Sequence, residues 1–299
     1  MLVITGPTAS GKTALAVAAA RRLGGEIVSA DSRQVYTGMD IGTGKDREEY
    51  GEVPVHMLDV VPAGYKYNLY EYLRDANECI DNIRSRGTLP VICGGTGLYV
   101  EALLNGLRLP EVPVNHELRA SLEGKNLDEL AEILAGMKSL HNRTDIDTVK
   151  RAVRAIEIAD YYNEHPDEAV NVTPHPVKDA VIVCVDIPRD ERRQRITRRL
   201  HARLEQGMID EVRKLLENGL SPEDLIYYGL EYKFITEYLT GVRDYDSLVK
   251  DLETAIHQFA KRQMTWFRGM ERRGFTLNYI PYNVGAEEFC DRVAALTGL

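Results

Sequence analysis

The sequence has few of the features that mark secreted, zinc-binding or membrane proteins. Its 299 residues contain four cysteines, which are far apart, with no CxxC pair and no adjacent histidine cluster. This spacing argues against a disulfide framework or a zinc site. There is also no basic leader with a cleavage site and no run of about 18 apolar residues. We therefore expect a cytoplasmic location, no membrane partner, and reduced, buried thiols at Cys79, Cys93, Cys184 and Cys290.

The chain also lacks an overall positive charge, which would ordinarily argue against a nucleic-acid partner. Its net charge is -9, but its cationic residues are unevenly distributed. Residues 189–214 carry nine Lys and Arg against five Asp and Glu, and residues 260–273 carry five against one. The second segment also contains the only tryptophan, Trp266. A cationic run by itself is typical of a solvated helix face, so the position of these segments in the fold must decide their meaning.

Short β-branched runs alternate with helical patterns through the first part of the chain. Strands are predicted at residues 2–5, 26–30, 55–60 and 89–93, and helices at residues 13–23 and 68–86. A further buried strand is predicted at residues 180–186. Everything after Asp186 has a helical pattern, including residues 189–218 and 246–270. This alternation predicts an α/β fold with a parallel sheet flanked by helices.

About seventy mostly polar, helix-like residues precede the last predicted strand. Proline-containing turns at residues 109–113 and 173–176 bound this stretch and predict hinges there. We interpret it as a helical insertion domain, residues 111–176, within a catalytic core formed by residues 1–110 and 177–299. The chain is long enough for one large core and one smaller domain.

The segment "GPTASGKT" fits the pattern GxxxxGK[ST] directly after a predicted strand and at the start of a helix. In such a loop, backbone N–H groups and the helix N-terminus converge on phosphate oxygens. Lys12 adds a positive charge, and the Thr13 hydroxyl can ligate Mg²⁺. The pattern makes the fold P-loop NTPase-like, yet a nucleoside triphosphate and a prenyl diphosphate fit it equally well. The predicted diphosphate site comprises Gly6, Pro7, Thr8, Ala9, Ser10, Gly11, Lys12 and Thr13.

Two further motifs follow predicted strands whose carboxyl ends should lie at the same sheet edge. Asp31 opens "DSRQVYTGMDIGTGK" after the strand at residues 26–30, so its carboxylate is expected beside the phosphate loop. A helix N-cap or an acid near Mg²⁺ would be a commoner role for a lone aspartate in such a protein. The motif "GGTGLY" follows another strand, and in it the glycines allow close backbone approach and Thr96 supplies a hydroxyl. A helix-opening turn would explain those glycines equally well.

These motifs and "AKRQMTWFR", in this order and spacing, resemble those of the tRNA dimethylallyltransferases, also called tRNA isopentenyltransferases. The resemblance runs from the first strand to about Arg268, which is nearly the whole chain. It implies transfer of the dimethylallyl group from dimethylallyl diphosphate to N6 of the adenosine on the 3′ side of the anticodon, position 37 of tRNA. The products would be N6-isopentenyladenosine and pyrophosphate, with Mg²⁺ as cofactor. Eukaryotic members add a C-terminal zinc finger, which the tail after Arg273 lacks, so the resemblance is to the bacterial type.

The resemblance assigns catalytic roles. A carboxylate would accept the proton of the poorly nucleophilic N6 amine. Cations and Mg²⁺ would stabilise the charge that grows on the departing pyrophosphate, with Arg199 in this role and Arg195 in reserve. The implied catalytic residues are Asp31 as base, Thr13, Lys12, Arg199 and Thr96. On the same helix, solvated positions adequately explain Arg192, Arg193 and Arg203.

The resemblance also implies binding of the tRNA anticodon stem-loop, which needs cations for its phosphates and flat side chains for splayed bases. Trp266 shares a helical face with Ile256 and Phe259, so we expect it to be buried rather than stacked on RNA. The insertion domain would grip the anticodon loop, and residues after Asp31 would contact the unstacked adenosine. The implied tRNA-binding residues are Asp31, Ser32, Arg33, Gln34, Lys150, Arg151, Arg154, Lys261, Arg262, Gln263 and Arg268.

Some features depart from the family pattern, and three rival functions share part of it. His56 stands alone where relatives often have paired histidines, no glycine follows "KRAVRAIE", and "YYGLEYKFITEYL" has Leu-Glu-Tyr where many relatives have Gly-Tyr-Lys. A nucleotide or small-molecule kinase would have no use for "KRQMTWFR". A free-adenylate isopentenyltransferase would need no RNA-binding segments, and a non-catalytic RNA-binding module would need neither Lys12 nor Asp31. We expect a monomeric enzyme.

Overall fold

The computed structural model describes residues 1–107, 109, 111–137, 148–167 and 175–298. Its strands are β1 (Leu2–Thr5), β2 (Gly25–Ser29), β3 (Tyr36–Thr37), β4 (Val55–His56), β5 (Val61–Pro62), β6 (Leu89–Gly94), β7 (Val181–Asp186) and β8 (Leu277–Pro281). Its first α-helices are α1 (Lys12–Leu23), α2 (Leu69–Ser85), α3 (Gly97–Leu104), α4 (His116–Ser121), α5 (Leu127–Met137) and α6 (Val149–Glu164). Those that follow are α7 (Arg189–Glu205), α8 (Met208–Glu217), α9 (Pro222–Tyr227), α10 (Leu230–Leu239), α11 (Tyr245–Arg272) and α12 (Ala286–Thr297), and Arg47–Tyr50 form a 3₁₀ turn.

The main sheet has six strands in the order β4-β2-β6-β1-β7-β8, and every pairing is parallel. Strand β1 lies between β6 and β7, with Leu2 opposite Val91 on one side and Val181 on the other. All four residues of β1 are buried, as expected for a strand covered on both faces. The predicted α/β fold with a parallel sheet flanked by helices is confirmed.

Three elements differ from the prediction. Strand β8 pairs with β7, so the expectation that everything after Asp186 is helical is wrong. Only Leu277 and Ile280 of this edge strand are buried, so it lacks the apolar run that marks the other strands. The strand predicted at residues 55–60 stops at His56, because Met57 and Asp59 have left-handed φ angles of 66° and 52°. The helix predicted at 189–218 breaks at Gly207, where φ is 95°.

Helices α1 and α2 show how local sequence fixes the elements beside the sheet. Small residues of α1, among them Ala16, Ala19 and Ala20, are fully buried in the main core, which lets the helix pack closely against the strands. Helix α2 starts at a capping box, in which the Asn68 side chain accepts from Glu71 N and the Glu71 carboxylate accepts from Asn68 N.

The chain divides into two compact units, one formed by Met1–Gly106 with Pro176–Leu299 and the other by Leu107–His175. The second unit has its own apolar core, which includes Leu130, Leu134, Ala152 and Ile156. Within the predicted hinge turns, Pro110, Thr173 and Pro174 lie outside the described residues. No helix in the described ranges is long and apolar enough to cross a membrane.

Candidate active site

The phosphate loop connects β1 to α1, at the edge where the parallel strands end. Its path needs a glycine at position 6, where φ is 156° and a Cβ would lie 3.0 Å from Ser10 Oγ and 3.3 Å from Val185 O. Ala9 adopts a left-handed φ of 62° inside the same turn. The Ser10 hydroxyl is buried without a hydrogen-bond partner among the described residues. A buried hydroxyl without a partner at this position is consistent with a loop shaped for a ligand.

A cavity of about 500 Å³ opens beside this loop. Thr8, Lys12 and Thr13 line it from the phosphate loop, and Asp31 and Thr96 line it from the segments that follow β2 and β6. Arg199 of α7, Glu231 of α10 and Trp266 of α11 also contribute to its wall. The structure therefore brings four of the sequence motifs together around one chamber.

The cationic side of the cavity is formed by Lys12 and two arginines of α7. Burial lowers the pKa of Lys12, and burial together with the neighbouring Arg203 lowers the pKa of Arg199 to about 10. Arg199 donates from Nη2 to the hydroxyl of Thr8, which fixes its guanidinium at the phosphate loop. An anion in this chamber would offset the repulsion between these cations and would raise their pKa values.

The arginines of α7 differ in their environments. The interpretation of Arg203 as a solvated residue is wrong, because it is 8% exposed, pairs with Asp46 at 3.2 Å and lines the cavity. Arg192 is only half-buried, and its pKa is lowered by burial and by Arg189 and Arg268. Arg195 donates to the carbonyl oxygens of Ala9 and Ser10, both at 3.3 Å, so it braces the phosphate loop from behind.

Asp31 lies two residues after β2 and lines the cavity. Its Oδ1 accepts a hydrogen bond from Arg33 N at 2.9 Å, which is the geometry of an Asx turn. Residues 32–35 form turns rather than a helix, so the alternative role of helix N-cap is excluded. Within the described residues, Oδ2 makes no hydrogen bond or ion pair, which leaves it available to accept a proton.

Thr96 supports the Asp31 turn. Its Oγ1 accepts from Ser32 N at 3.0 Å and lies 3.4 Å from Ser32 Oγ. The turn before it packs closely against the end of β2, because a Cβ on Gly94 would lie 2.2 Å from Ala30 O. The glycines of "GGTGLY" therefore serve close backbone approach as well as opening α3.

Two of the predicted tRNA contacts after Asp31 are engaged within the protein. Gln34 is 8% exposed, and its amide accepts from Ser29 Oγ and donates to Gly44 O, both at 2.9 Å. These bonds hold the loop at residues 39–45, but Gln34 also lines the cavity, so its contact with the adenosine stays a prediction. Arg33 lines the cavity and donates to Tyr227 O at 3.3 Å.

Helix α11 presents two neighbouring faces near the cavity. Ile256, Ala260, Gln263 and Phe267 recur every three or four residues and are buried. Gln263, predicted to face RNA, is 7% exposed but lines the cavity, so its contact with RNA stays a prediction. The next face carries Phe259, Arg262 and Trp266, which line the cavity.

The prediction that Trp266 is buried in the core is wrong. Phe259 and Trp266 are 39% and 38% exposed, so both rings present an apolar surface to solvent. The Arg273 guanidinium lies 5.6 Å from the Trp266 ring centroid and pairs with Glu101, which fixes the ring's position. Lys261 and Arg268 are exposed but do not line the cavity.

The sequence did not lead to Glu231, an acid that lines the chamber as Asp31 and Asp46 do. Burial raises its pKa, while Arg203 and Arg199 act in the opposite direction. The signal was present, because Glu231 belongs to the segment "YYGLEYK" that departs from the family pattern. In the second unit, Arg154 pairs with buried Glu157 and donates to Val112 O at 2.8 Å, whereas Lys150 and Arg151 are exposed.

The fold and this chamber define a P-loop protein in which the phosphate loop shares one cavity with a carboxylate and an aromatic, cationic helix face. Family models bear directly on what such a protein does: the model described as IPP transferase matches residues 34–270, and the one described as isopentenyl transferase matches residues 1–52. The chain belongs to the tRNA dimethylallyltransferase (IPP transferase) family, which makes it a prenyl-transferring enzyme.

Relatives of established name are similar over nearly their full length. tRNA dimethylallyltransferase 1 of Porphyromonas gingivalis is 56% identical, covering 99% of this chain and 98% of its own. tRNA dimethylallyltransferase 2 of Bacteroides fragilis is 55% identical, covering 96% and 94%. Among solved structures, the tRNA isopentenylpyrophosphate transferase of Bacillus halodurans is 30% identical with a TM-score of 0.72, covering 99% of this chain and 96% of that one.

Proposed function

We propose that the protein transfers the dimethylallyl group of dimethylallyl diphosphate to N6 of adenosine 37 in tRNA, giving N6-isopentenyladenosine and pyrophosphate. The observation that carries this proposal is the shared cavity, in which the phosphate loop, Asp31 and the Phe259–Trp266 face of α11 meet. The names of the relatives support the same reaction. A kinase would need the phosphate loop but would have no use for a second, aromatic wall.

In this reaction the N6 lone pair forms a bond to C1 of the dimethylallyl group while the C1–O bond breaks. The bonding electrons leave with the diphosphate, and the N6 proton passes to Asp31. Lys12 and Arg199 would stabilise the charge that grows on the leaving oxygens, since both already lie desolvated beside the loop.

The residues present fit Mg²⁺. The hydroxyls of Ser10 and Thr13 lie in the loop, one buried without a partner and the other lining the cavity, and hard oxygen donors suit this cation. No group of three His, Cys, Asp or Glu in the described residues could hold a metal by itself. The ion would therefore depend on Thr13 and the substrate's own phosphate oxygens, and when bound it would neutralise charge on the diphosphate.

The exposed faces of α11 and the insertion unit are our candidates for binding the anticodon stem-loop. Phe259 and Trp266 offer rings to unstacked bases, and Lys261, Arg262 and Arg268 offer cations to phosphates. Lys150 and Arg151 supply exposed cations in the insertion unit, whereas Arg154 would act by stabilising that unit through Glu157. The monomeric state and cytoplasmic location stay predictions.

The transfer reaction is tested by incubating the protein with Mg²⁺ and labelled dimethylallyl diphosphate, offering unmodified tRNA, AMP or no acceptor. We expect label in tRNA only, located at adenosine 37 after nuclease digestion. A parallel tube contains ATP labelled in its γ-phosphate. Label transferred to AMP would indicate a free-adenylate enzyme, and phosphate transfer from ATP would indicate a kinase, so either result would contradict the proposal.

The role of the cationic face of α11 is tested by Arg262→Ala combined with Arg268→Ala. Both arginines are exposed, and neither forms an ion pair with another described residue. We expect weaker tRNA binding and a flatter dependence of log affinity on log salt, by roughly one unit of slope per lost phosphate contact. The matched control is Arg21→Ala combined with Arg292→Ala, because those arginines already pair with Glu52 and Glu288. A slope equal to that of the wild type would show that Arg262 and Arg268 do not contact the RNA backbone.

A further inference from the structure

Gln263 connects α11 to two loops of the cavity. Its Oε1 accepts from Thr8 N and its Nε2 donates to Gly95 O, both at 2.8 Å. The side chain is 7% exposed, so water does not compete for these bonds. One amide therefore links the phosphate loop after β1 to the glycine turn after β6.

We propose that Gln263 is a positioning residue through which α11 fixes the phosphate loop for the diphosphate substrate, an inference that rests on the proposed function. The backbone N–H of Thr8 donates to Gln263, and the Thr8 hydroxyl accepts from Arg199. Holding Thr8 therefore also holds the guanidinium assigned to the leaving diphosphate. Gln263 thus joins α11, which carries Arg262 and Trp266, to the loop that carries Lys12.

The space around Gln263 admits little else. A Cβ on Gly95 would lie 2.6 Å from Gln263 Nε2, 3.3 Å from Gly6 O and 3.4 Å from Lys12 Nζ. The site needs one acceptor and one donor at a fixed separation, which a primary amide supplies. A carboxylate supplies no donor, and an apolar side chain of the same length leaves both backbone groups unsatisfied.

The first test is Gln263→Met, which keeps the length of the side chain and removes both hydrogen bonds. The control is Gln258→Met, at an exposed position of the same helix. Because displacement of a reactive geometry by about 1 Å can cost on the order of 10²-fold in rate, we expect kcat/KM for dimethylallyl diphosphate to fall by about 10- to 100-fold. Affinity for inorganic pyrophosphate, measured by calorimetry, should fall about tenfold or more. Affinity for tRNA and the melting temperature should stay close to those of the control.

A second variant, Gln263→Glu, should give a pH-dependent pyrophosphate affinity, which a change in packing alone would not produce. A protonated carboxyl has the donor and acceptor of the amide, whereas the carboxylate lacks the donor and adds negative charge beside the phosphate loop. The pyrophosphate affinity of this variant relative to the wild type should therefore rise as the pH falls from 8 to 5. The Gln263→Met variant, compared in the same way, should show no such recovery.

A double-mutant cycle with Thr8→Val locates the effect. If Gln263 acts through Thr8 and Arg199, the two substitutions should be clearly non-additive in kcat. The proposal would be overturned by additive effects in this cycle or by an unchanged pyrophosphate affinity in Gln263→Met. It would also be overturned if Gln263→Met lost affinity equally for pyrophosphate and tRNA and had a lowered melting temperature. Because pyrophosphate binding is measured without transfer, failure of the transfer reaction itself would be recognised separately, in the wild type.

Discussion

Replacing Lys12 with alanine is expected to abolish productive use of dimethylallyl diphosphate while tRNA affinity stays within about twofold of the wild type. Lys12 is the cation of the phosphate loop, and burial lowers its pKa, so its charge is held in a poorly solvated position. Electrostatic stabilisation in such a position is typically worth on the order of 10² to 10³ in rate from a single donor. The loss should exceed that range, because diphosphate binding weakens together with leaving-group stabilisation.

The measurements are kcat/KM for dimethylallyl diphosphate and a gel-shift titration with unmodified tRNA. The control is Lys250→Ala, an exposed lysine near the start of α11. If diphosphate and RNA bind to separate surfaces, only kcat/KM for dimethylallyl diphosphate should change. A large loss of tRNA binding in Lys12→Ala would show that the two substrates share the phosphate loop.

Replacing Asp31 with asparagine should lower the single-turnover rate of transfer by about 10² to 10⁴, or roughly 3 to 5 kcal/mol of barrier. Asparagine keeps an oxygen that can accept from Arg33 N, so the Asx turn should persist. It cannot accept the N6 proton at neutral pH. Melting temperature and tRNA affinity should therefore stay near wild-type values, and the loss should appear in the chemical step.

Two other roles for Asp31 give different outcomes. If its carboxylate only shapes the turn after β2, Asp31→Asn should retain a near-normal rate, because either side chain forms such a turn. If it acts through Mg²⁺, raising the Mg²⁺ concentration should restore part of the activity. Single-turnover transfer over a Mg²⁺ series, with binding and melting measured in parallel, separates these cases. Near-normal rates or rescue by Mg²⁺ would remove Asp31 as base without changing the family of the protein.

The sequence was sufficient for the features that depend on local chemistry. The glycines and lysine of "GPTASGKT" predicted the phosphate loop between β1 and α1, where the structure has it. Buried β-branched runs predicted β1, β2, β6 and β7, because central parallel strands are apolar on both faces. Strand β8 escaped prediction because an edge strand needs few apolar residues, and here only Leu277 and Ile280 are buried.

Periodicity along α11 identified the helix but not the role of its faces. Phe259 and Trp266 are seven residues apart and share a helical face with Ile256, and this periodicity predicted that Trp266 is buried in the core. In the structure that face borders the cavity, and Gln263, which is polar, is buried. Burial of a polar side chain depends on partners from distant segments, here Thr8 N and Gly95 O, which no local pattern reveals.

The sequence by itself determined the fold class, the phosphate loop and the family, because these depend on residue types at fixed short spacings. Only the tertiary structure decided which cationic side chains line the cavity and which bond to other groups of the protein. Arg199 and Arg203 reach the chamber, Arg195 braces the loop from behind, and Arg154 pairs with Glu157 in the other unit. All four carry the same charge, and a guanidinium's role is set by the acceptors that folding places within its reach.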